Sequence, residues 1–209
     1  MNDYHKYVFN LQDREFVGEF DQMYKNEAVN HYDSWNQDQI KTPELTFATT
    51  IIERYGFSSI LDIGCGKGAY TNSLAMMDLK ISGLDLSETA IQIASTRYPY
   101  ITFKQVDVSI SEDLKSELIN AKKNDEEFVD LVIFSEVLSY LENWQSILCL
   151  VSNNAKNIFV KLYLPEDPIG FVKNFASVES SVNENFNISE TVILEDSTML
   201  LLAKSKHTN

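Results

Sequence analysis

Ser59-Ile60-Leu61-Asp62-Ile63-Gly64-Cys65-Gly66-Lys67-Gly68 is the stretch on which the fold turns. Ser59 to Ile63 reads as a short buried strand. Three glycines at alternate positions follow it and open a helix expected over 67–77. Glycine allows φ > 0 and lets a backbone approach a ligand closely. Asp62 stands at the carboxyl end of the strand, where a carboxylate can hold a ligand's ammonium group. The plain alternative is a tight strand-to-helix turn with no ligand. The same residues also satisfy a loose dinucleotide fingerprint, Gly-x-Gly-x-x-Ala, through Gly64, Gly66 and Ala69. Context has to decide between these readings.

Upstream, Thr42-Pro43-Glu44 is a helix start, with Thr as N-cap, Pro at the first helical position and an acid in the first turn. Leu45, Ala48, Ile51, Ile52 and Tyr55 follow at helical spacing, and Gly56 is a fitting stop. Residues 1–41 are polar with interspersed aromatics (Tyr4, Tyr7, Phe9, Phe16, Phe20, Tyr24, Tyr32, Trp35) and read as one or two short capping helices.

Downstream the pattern alternates. Ile81 to Leu86 is a second strand, and Ser87 caps a helix over 88–97 stopped by Pro99. Ile101 to Val106 is a third strand, followed by an amphipathic helix over 111–123 with Leu114, Leu118 and Ile119 on one face. Phe128 to Phe134, almost wholly apolar, is a central parallel strand. A helix over 143–153 leads to a fifth strand, Ile158 to Leu164, and 168–178 holds a short helix. Thr191 to Glu195, a turn at Asp196-Ser197-Thr198, and Met199 to Lys204 form a hairpin. Strands alternating with helices imply right-handed βαβ crossovers and an α/β fold with helices on both faces of a mostly parallel sheet. The hairpin adds an antiparallel strand at one edge. We expect a single domain over 1–209, with a helical cap at 1–41 and the core at 42–209.

The chain has 209 residues and a formal net charge of −14. Nucleic-acid binding draws most of its affinity from Lys and Arg meeting phosphates, and the basic residues here are scattered, so no nucleic-acid partner is expected. No apolar run approaches the roughly 20 residues that span a bilayer, and the first residues lack the apolar region of a signal peptide. Cys65 and Cys149 do not make a disulfide framework or a zinc site. The expectation is a cytoplasmic protein without membrane partner or metal, a monomer or homodimer, acting on a small molecule. His5, His31 and His207 all lie outside the central region, so no histidine base sits on a core strand.

Two further acids fall at strand ends. Asp85 ends the second strand, where it can accept both hydroxyls of a ribose; taken alone it also suits the start of the next helix. Asp107, in Gln105-Val106-Asp107-Val108, ends the third. Its carboxylate can accept an adenine amino group while Val108 offers a backbone N–H; alone it also reads as a turn residue. Three acids at three successive strand ends are far less expected by chance than any one of them.

Asp-x-Gly-x-Gly-x-Gly from Asp62, Gly83-Leu84-Asp85-Leu86-Ser87, Val106-Asp107-Val108 and Phe128 to Glu136 together resemble the class I, Rossmann-like S-adenosylmethionine-dependent methyltransferases in order and spacing, over roughly 42–164. The resemblance implies a seven-stranded sheet, with the hairpin as its last two strands, and S-adenosyl-L-methionine as cofactor, released as S-adenosyl-L-homocysteine. It places Gly64, Gly66 and Gly68 against the methionine and ribose, Asp85 on the ribose, Asp107 and Val108 on the adenine, and Asp62 near the amino-acid end. Leu86, which ends the second strand, and Ser135, just past the fourth, join them as cofactor contacts. Ser135-Glu136-Val137-Leu138-Ser139-Tyr140-Leu141, with Asp33-Ser34-Trp35 upstream, is similar to the NodS-like N-methyltransferases and related surface-carbohydrate enzymes. Ser34 stands where those carry proline. The arginine that follows their tryptophan has no counterpart in place; Lys41 is the substitute for gripping the cofactor carboxylate.

The implied function is methyl transfer to an O or N of a small polar metabolite, such as a nucleotide-linked or surface-polysaccharide precursor. Glu136, just past the fourth strand, is the first candidate base, against a purely structural hydrogen-bonding role. Tyr140 is a weaker candidate for acceptor contact, against packing. Tyr24 and Trp35 in the cap can offer aromatic faces to a sulfonium, against ordinary cap packing. Cys65, between two glycines, reads as a small buried filler, and Tyr163 with the loop 164–168 as a border of the acceptor pocket. The competing functions are a nicotinamide-dependent oxidoreductase, opposed by Asp62 and Asp107, a non-catalytic S-adenosylmethionine-binding partner subunit, and aminopropyl transfer.

Overall fold

The computed structural model describes residues 5–35, 37, 42–75, 78–124 and 126–208. A seven-stranded sheet organises the molecule. In chain order its strands are β3 (Ser59–Ile63), β4 (Lys80–Asp85), β5 (Thr102–Gln105), β6 (Val129–Ser135), β7 (Ala155–Tyr163), β8 (Phe186–Ile193) and β9 (Thr198–Ser205). In space they run β5-β4-β3-β6-β7-β9-β8. The first five are parallel, whereas β9 runs antiparallel between β7 and β8. This is the Rossmann-like α/β sheet with an antiparallel C-terminal hairpin. The order reverses between β3 and β6, and the crevice outside the carboxyl ends there is where such sheets bind ligands.

The central strand β6 is apolar because both its faces are covered. Leu131 and Ile133 enter a core with Ile60, Phe159, Ala48 and Ile51, the last two on α3 (Thr42–Tyr55). Val132 and Phe134 enter the other core, with Leu114 and Leu118 of α6 (Ser111–Ala121) and Leu148 and Val151 of α7 (Trp144–Ser152). The remaining core helices are α4 (Ala69–Leu74), α5 (Glu88–Arg97) and α8 (Phe175–Asn185). Among the described residues no helix is long and apolar enough to cross a membrane.

The N-terminal segment holds α1 (His5–Val8), α2 (Phe20–Asn30) and, unforeseen, a two-stranded ribbon of β1 (Phe9–Asn10) and β2 (Glu15–Phe16). Strands of two residues carry no readable alternation. Gly56 closes α3 with φ +64°, while the side chain of Thr42, the expected N-cap, lies outside the described residues.

Some expectations need correction. The helix expected over 67–77 is α4, which begins only at Ala69, because Gly68 at φ +79° cannot sit in a right-handed helix. Residues 76–77, its expected end, and Tyr4 of the cap lie outside the described residues. The short helix expected over 168–178 is α8, which begins at Phe175. Asn174 caps it by accepting the Ser177 N–H at 2.9 Å. Ile119, expected on the buried face of α6, is 52% exposed. The hairpin starts earlier than read: β8 begins at Phe186, and a register shift between Ile188 and Glu190 breaks its period-two signal.

Candidate active site

A cavity of about 1380 Å³ opens over the carboxyl ends of β3, β4, β6 and β7. Single small-molecule sites usually enclose about 300–1,000 Å³, so this one has room for two ligands. Gly64 and Cys65 of the glycine loop line one wall. Gly64, Gly66 and Gly68 all have positive φ, +78°, +53° and +79°. A Cβ on Gly64 would come within 2.7 Å of Val137, and one on Gly66 within 2.6 Å of Gln37, while one on Gly68 would meet Phe103 and Ala94. These three positions are therefore bare backbone by steric necessity, and Gly66 and Gly68 face the cap and the core rather than the cavity wall. Cys65 is the buried filler, and its side chain fills the space that a Cβ on Gly83 would need.

The three strand-end acids reach this cavity in different states. Asp62 is 1% exposed; Thr71 Oγ1 donates to its Oδ2 at 2.6 Å, and its Oδ1 is buried without a partner. Burial pushes its carboxyl up to about 7, with Thr71 opposing and the Asp85 charge adding to the rise. Asp85 accepts the N–H of Gly66 on Oδ2 at 2.8 Å and that of Ser87 on Oδ1 at 2.9 Å. Burial raises its pKa while those amides pull it back. Each carboxylate oxygen keeps a second lone pair for a ligand. Asp107, just beyond β5, accepts from the Ser109 N–H and hydroxyl. Leu86, 46% exposed, and Val108, 7% exposed, border the same cavity.

Glu136 has φ +60°, a conformation unusual for a residue with a side chain. Its N–H donates to the Lys161 carbonyl at 2.8 Å, its Oε2 accepts the Tyr163 N–H at 2.8 Å, and its Oε1 lies 3.2 Å from Lys161 Nζ. Both its backbone and its carboxylate are thus held by the end of β7. Ser135 and Tyr140 line the cavity beside it. Tyr140, on a 3₁₀ turn (Leu138–Tyr140), packs against Phe9, Phe16, Phe20 and Trp35. Tyr24 is buried beneath, edge-on to Trp35 at 6.0 Å, and its hydroxyl accepts from Gln37 Nε2 at 2.8 Å. Burial and the nearby Asp85 charge hold the Tyr24 phenol well above its ordinary pKa. Tyr163, Pro165 and Pro168 border the cavity beyond β7. Lys41 lies outside the described residues.

Several residues that build the site gave no signal in the sequence. Lys67, between two of the glycines, is 4% exposed, and its Nζ lies 3.1 Å from Glu27 Oε2 and 2.8 Å from Asp33 Oδ1. Its own N–H donates to Gln37 Oε1 at 3.0 Å. Asp21 accepts from Ser87 Oγ and the Thr89 N–H at the start of α5. Although burial opposes it, Lys25 and these donors together hold the Asp21 carboxyl well below the usual range. The cap is therefore fastened to two ligand-facing loops. Lys161 sits between Glu136 and the buried Glu44 of α3, whose Oε1 is 4.0 Å away. The Tyr70 hydroxyl is buried without a partner at the same end, and burial together with the Asp62, Glu44 and Glu136 charges raises its pKa. Charge pairing between residues as far apart as Lys67 and Glu27 or Lys161 and Glu44 leaves no local pattern to read.

Residues 61–156 match a protein-family model described as a methyltransferase domain. Over 108 residues, 51% of this chain, it is 30% identical to methyltransferase 235L of Invertebrate iridescent virus 6 (a provisional designation); the match spans 36% of that protein's length. Among solved structures it resembles the magnesium protoporphyrin IX methyltransferase of Synechocystis PCC 6803 with bound S-adenosylhomocysteine: TM-score 0.65, 14% identity, 90% of this chain and 96% of the other covered. It also resembles an S-adenosylmethionine-dependent methyltransferase of Clostridium acetobutylicum ATCC 824: TM-score 0.63, 13% identity, 87% and 98% covered. The fold is that of the class I methyltransferases.

Proposed function

We propose that this chain, with its class I methyltransferase fold, is an S-adenosylmethionine-dependent methyltransferase that moves a methyl group to an oxygen or nitrogen of a small molecule. One observation carries the reading. Acids at three successive strand ends and the start of the glycine loop, Gly64 and Cys65, face a single cavity with room for a cofactor and a second ligand. The partnerless Asp62 oxygen fits an ammonium group, and Gly64, Gly66 and Gly68 would admit the methionine and ribose. Asp85, with Leu86 beside it, would take the ribose hydroxyls. Asp107 and Val108 would take the adenine, with Ser135 near the methionine.

Bound there, the cofactor supplies an electrophilic methyl on a sulfonium leaving group. The chain's own task is chiefly alignment, worth about 7–11 kcal/mol in well-oriented reactions. Tyr24 and Trp35, which line the cavity from the cap side, would face the sulfonium. Glu136, held by Lys161 and the Tyr163 amide, would receive an acceptor proton. Tyr140 shapes the acceptor side. The cap at 1–41 and the core at 42–209 act as one unit in this reading, within the cytoplasm and without nucleic-acid partner. A nucleotide-linked or surface-polysaccharide acceptor remains the expectation from the NodS-like resemblance alone.

Calorimetric titration with S-adenosylhomocysteine, with NAD in parallel, tests the reading. Micromolar binding of the former alone is the expected result. Binding of NAD instead overturns it in favour of an oxidoreductase. Gly66→Val should abolish S-adenosylhomocysteine binding, since its side chain would collide with Gln37 and Tyr24.

A further inference from the structure

The acceptor end of the cavity combines aromatic rings with carboxylates. Phe9 and Phe16 come from the β1–β2 ribbon, Phe20 from α2, Trp35 from the chain beyond it, Tyr140 from the 3₁₀ turn and Phe171 from the loop after β7. Tyr140 is the hub. Its ring centroid lies 6.0 Å from Phe9, 6.1 Å from Phe16, 5.3 Å from Phe20 and 6.3 Å from Trp35. Phe171 meets Phe16 edge-on at 5.3 Å. Segments remote in sequence thus converge to make one aromatic wall that faces the cavity. A sugar can stack one C–H face on such a wall, but the hydroxyls at its rim would then face apolar surface from the surrounding rings. A flat apolar body stacks on it.

The charges narrow the class further. Among the described residues, Arg14 and Lys161 are the Arg and Lys side chains lining the cavity. Arg14 is held by Asp167 at 2.7 Å, and Lys161 by Glu136 at 3.2 Å with Glu44 at 4.0 Å. Among the described lining residues, a phosphate or carboxylate would have to displace those partners and would then face Glu136, Glu44 and Glu142. A protonated amine is favoured by the ring faces and by the excess of lining carboxylates over Arg and Lys side chains, an excess that Lys161 beside Glu136 offsets only in part. The Ser139 hydroxyl, buried without a partner next to Tyr140, gives it a further hydrogen-bond acceptor.

Building on the methyltransferase reading, we propose that the acceptor is a small aromatic molecule carrying a protonated amine, rather than a sugar phosphate. The ring lies along the Phe9–Phe16–Tyr140 wall and the ammonium group toward Glu136, which takes one of its protons so that the neutral nitrogen can accept the methyl.

Protein saturated with S-adenosylhomocysteine is titrated with tyramine, 4-hydroxyphenylacetate, glucosamine and uridine 5′-monophosphate, following tryptophan fluorescence and heat. Tyramine should bind about tenfold or more tighter than each of the others. Glu136→Gln should erode the preference over 4-hydroxyphenylacetate. Phe171→Leu and Phe16→Ala should weaken both aromatic probes equally, with retained S-adenosylhomocysteine affinity showing that each variant is folded. Equal or tighter binding of the carboxylate, the sugar or the nucleotide overturns the aromatic-amine assignment while leaving the methyltransferase reading standing. No S-adenosylhomocysteine binding by the unaltered protein overturns both.

Discussion

Burial of Asp62 sets a stability cost against a binding gain at one carboxyl group. Its pKa rises to about 7 from an ordinary 3.8, so the fold prefers the protonated form. The stabilisation linked to that proton is fully present below about pH 4 and is lost as pH rises through about 7. Asp62→Asn keeps an acceptor for Thr71 and cannot ionise. Urea denaturation should show its stability advantage over the parent growing by about 2–3 kcal/mol between pH 5 and pH 8; a constant difference would contradict the assignment. The same variant should bind S-adenosylhomocysteine more weakly at pH 8, where the ionised carboxylate would have held the ammonium. Asp85→Ala, which also strands the Gly66 and Ser87 amides, should weaken S-adenosylhomocysteine binding by about 10- to 100-fold. Glu136→Gln should lower kcat more than it changes cofactor affinity. The opposite pattern would leave Glu136 as a clasp for the end of β7 and nothing more.

The cap and core elements meet through buried polar ties as well as through the apolar cluster around Tyr140 and Ala90. Lys67 answers Glu27 and Asp33 in a place where its side chain is 5% exposed. Removing one partner of such a buried group leaves charge uncompensated, which typically costs about 3–5 kcal/mol. Lys67→Met should therefore destabilise by that order in urea, and hydrogen exchange should quicken in α2 before the sheet is affected. Uniform acceleration across α2 and β6 would show that the triad supports the whole fold instead. Ser87→Ala removes both the cap of α5, whose Ala90 N–H it accepts, and the donor to Asp21. A loss of about 1 kcal/mol is expected.

For the molecule as a whole, stability rests on the two faces of one sheet and is opposed by net charge. Leu131, fully buried in β6, should cost about 2–5 kcal/mol on truncation to alanine, because neighbours on both sides cannot collapse into the gap. A formal charge of −14 repels itself across the surface. Raising NaCl from about 0.05 to 0.5 M should lift Tm by about 2–4 °C through screening. A Tm that falls with salt would mean that the surface ion pairs, such as Lys104–Glu117 and Lys156–Glu126, outweigh the repulsion.

The succession of strands and helices along the chain, the glycine loop and the acids at strand ends were legible in the linear chain because each rests on local chemistry, whereas the order of the strands across the sheet was not. Hydrophobic runs bury themselves, a turn with positive φ demands glycine, and Ser87 caps the helix that begins right after it. Strand ends blurred where a bulge shifted the register, as at Ile188, and helix starts where a single φ decided them, as at Gly68. Tertiary structure alone decided that Lys67 is a clasp and not a solvated lysine, and that Lys161 stands between Glu44 and Glu136. It alone gathered Phe9, Phe16, Tyr140 and Phe171 into one wall. Such contacts join residues far apart in the chain, and their energies come from excluded water and facing charges, which exist only once the sheet and the cap have closed on each other.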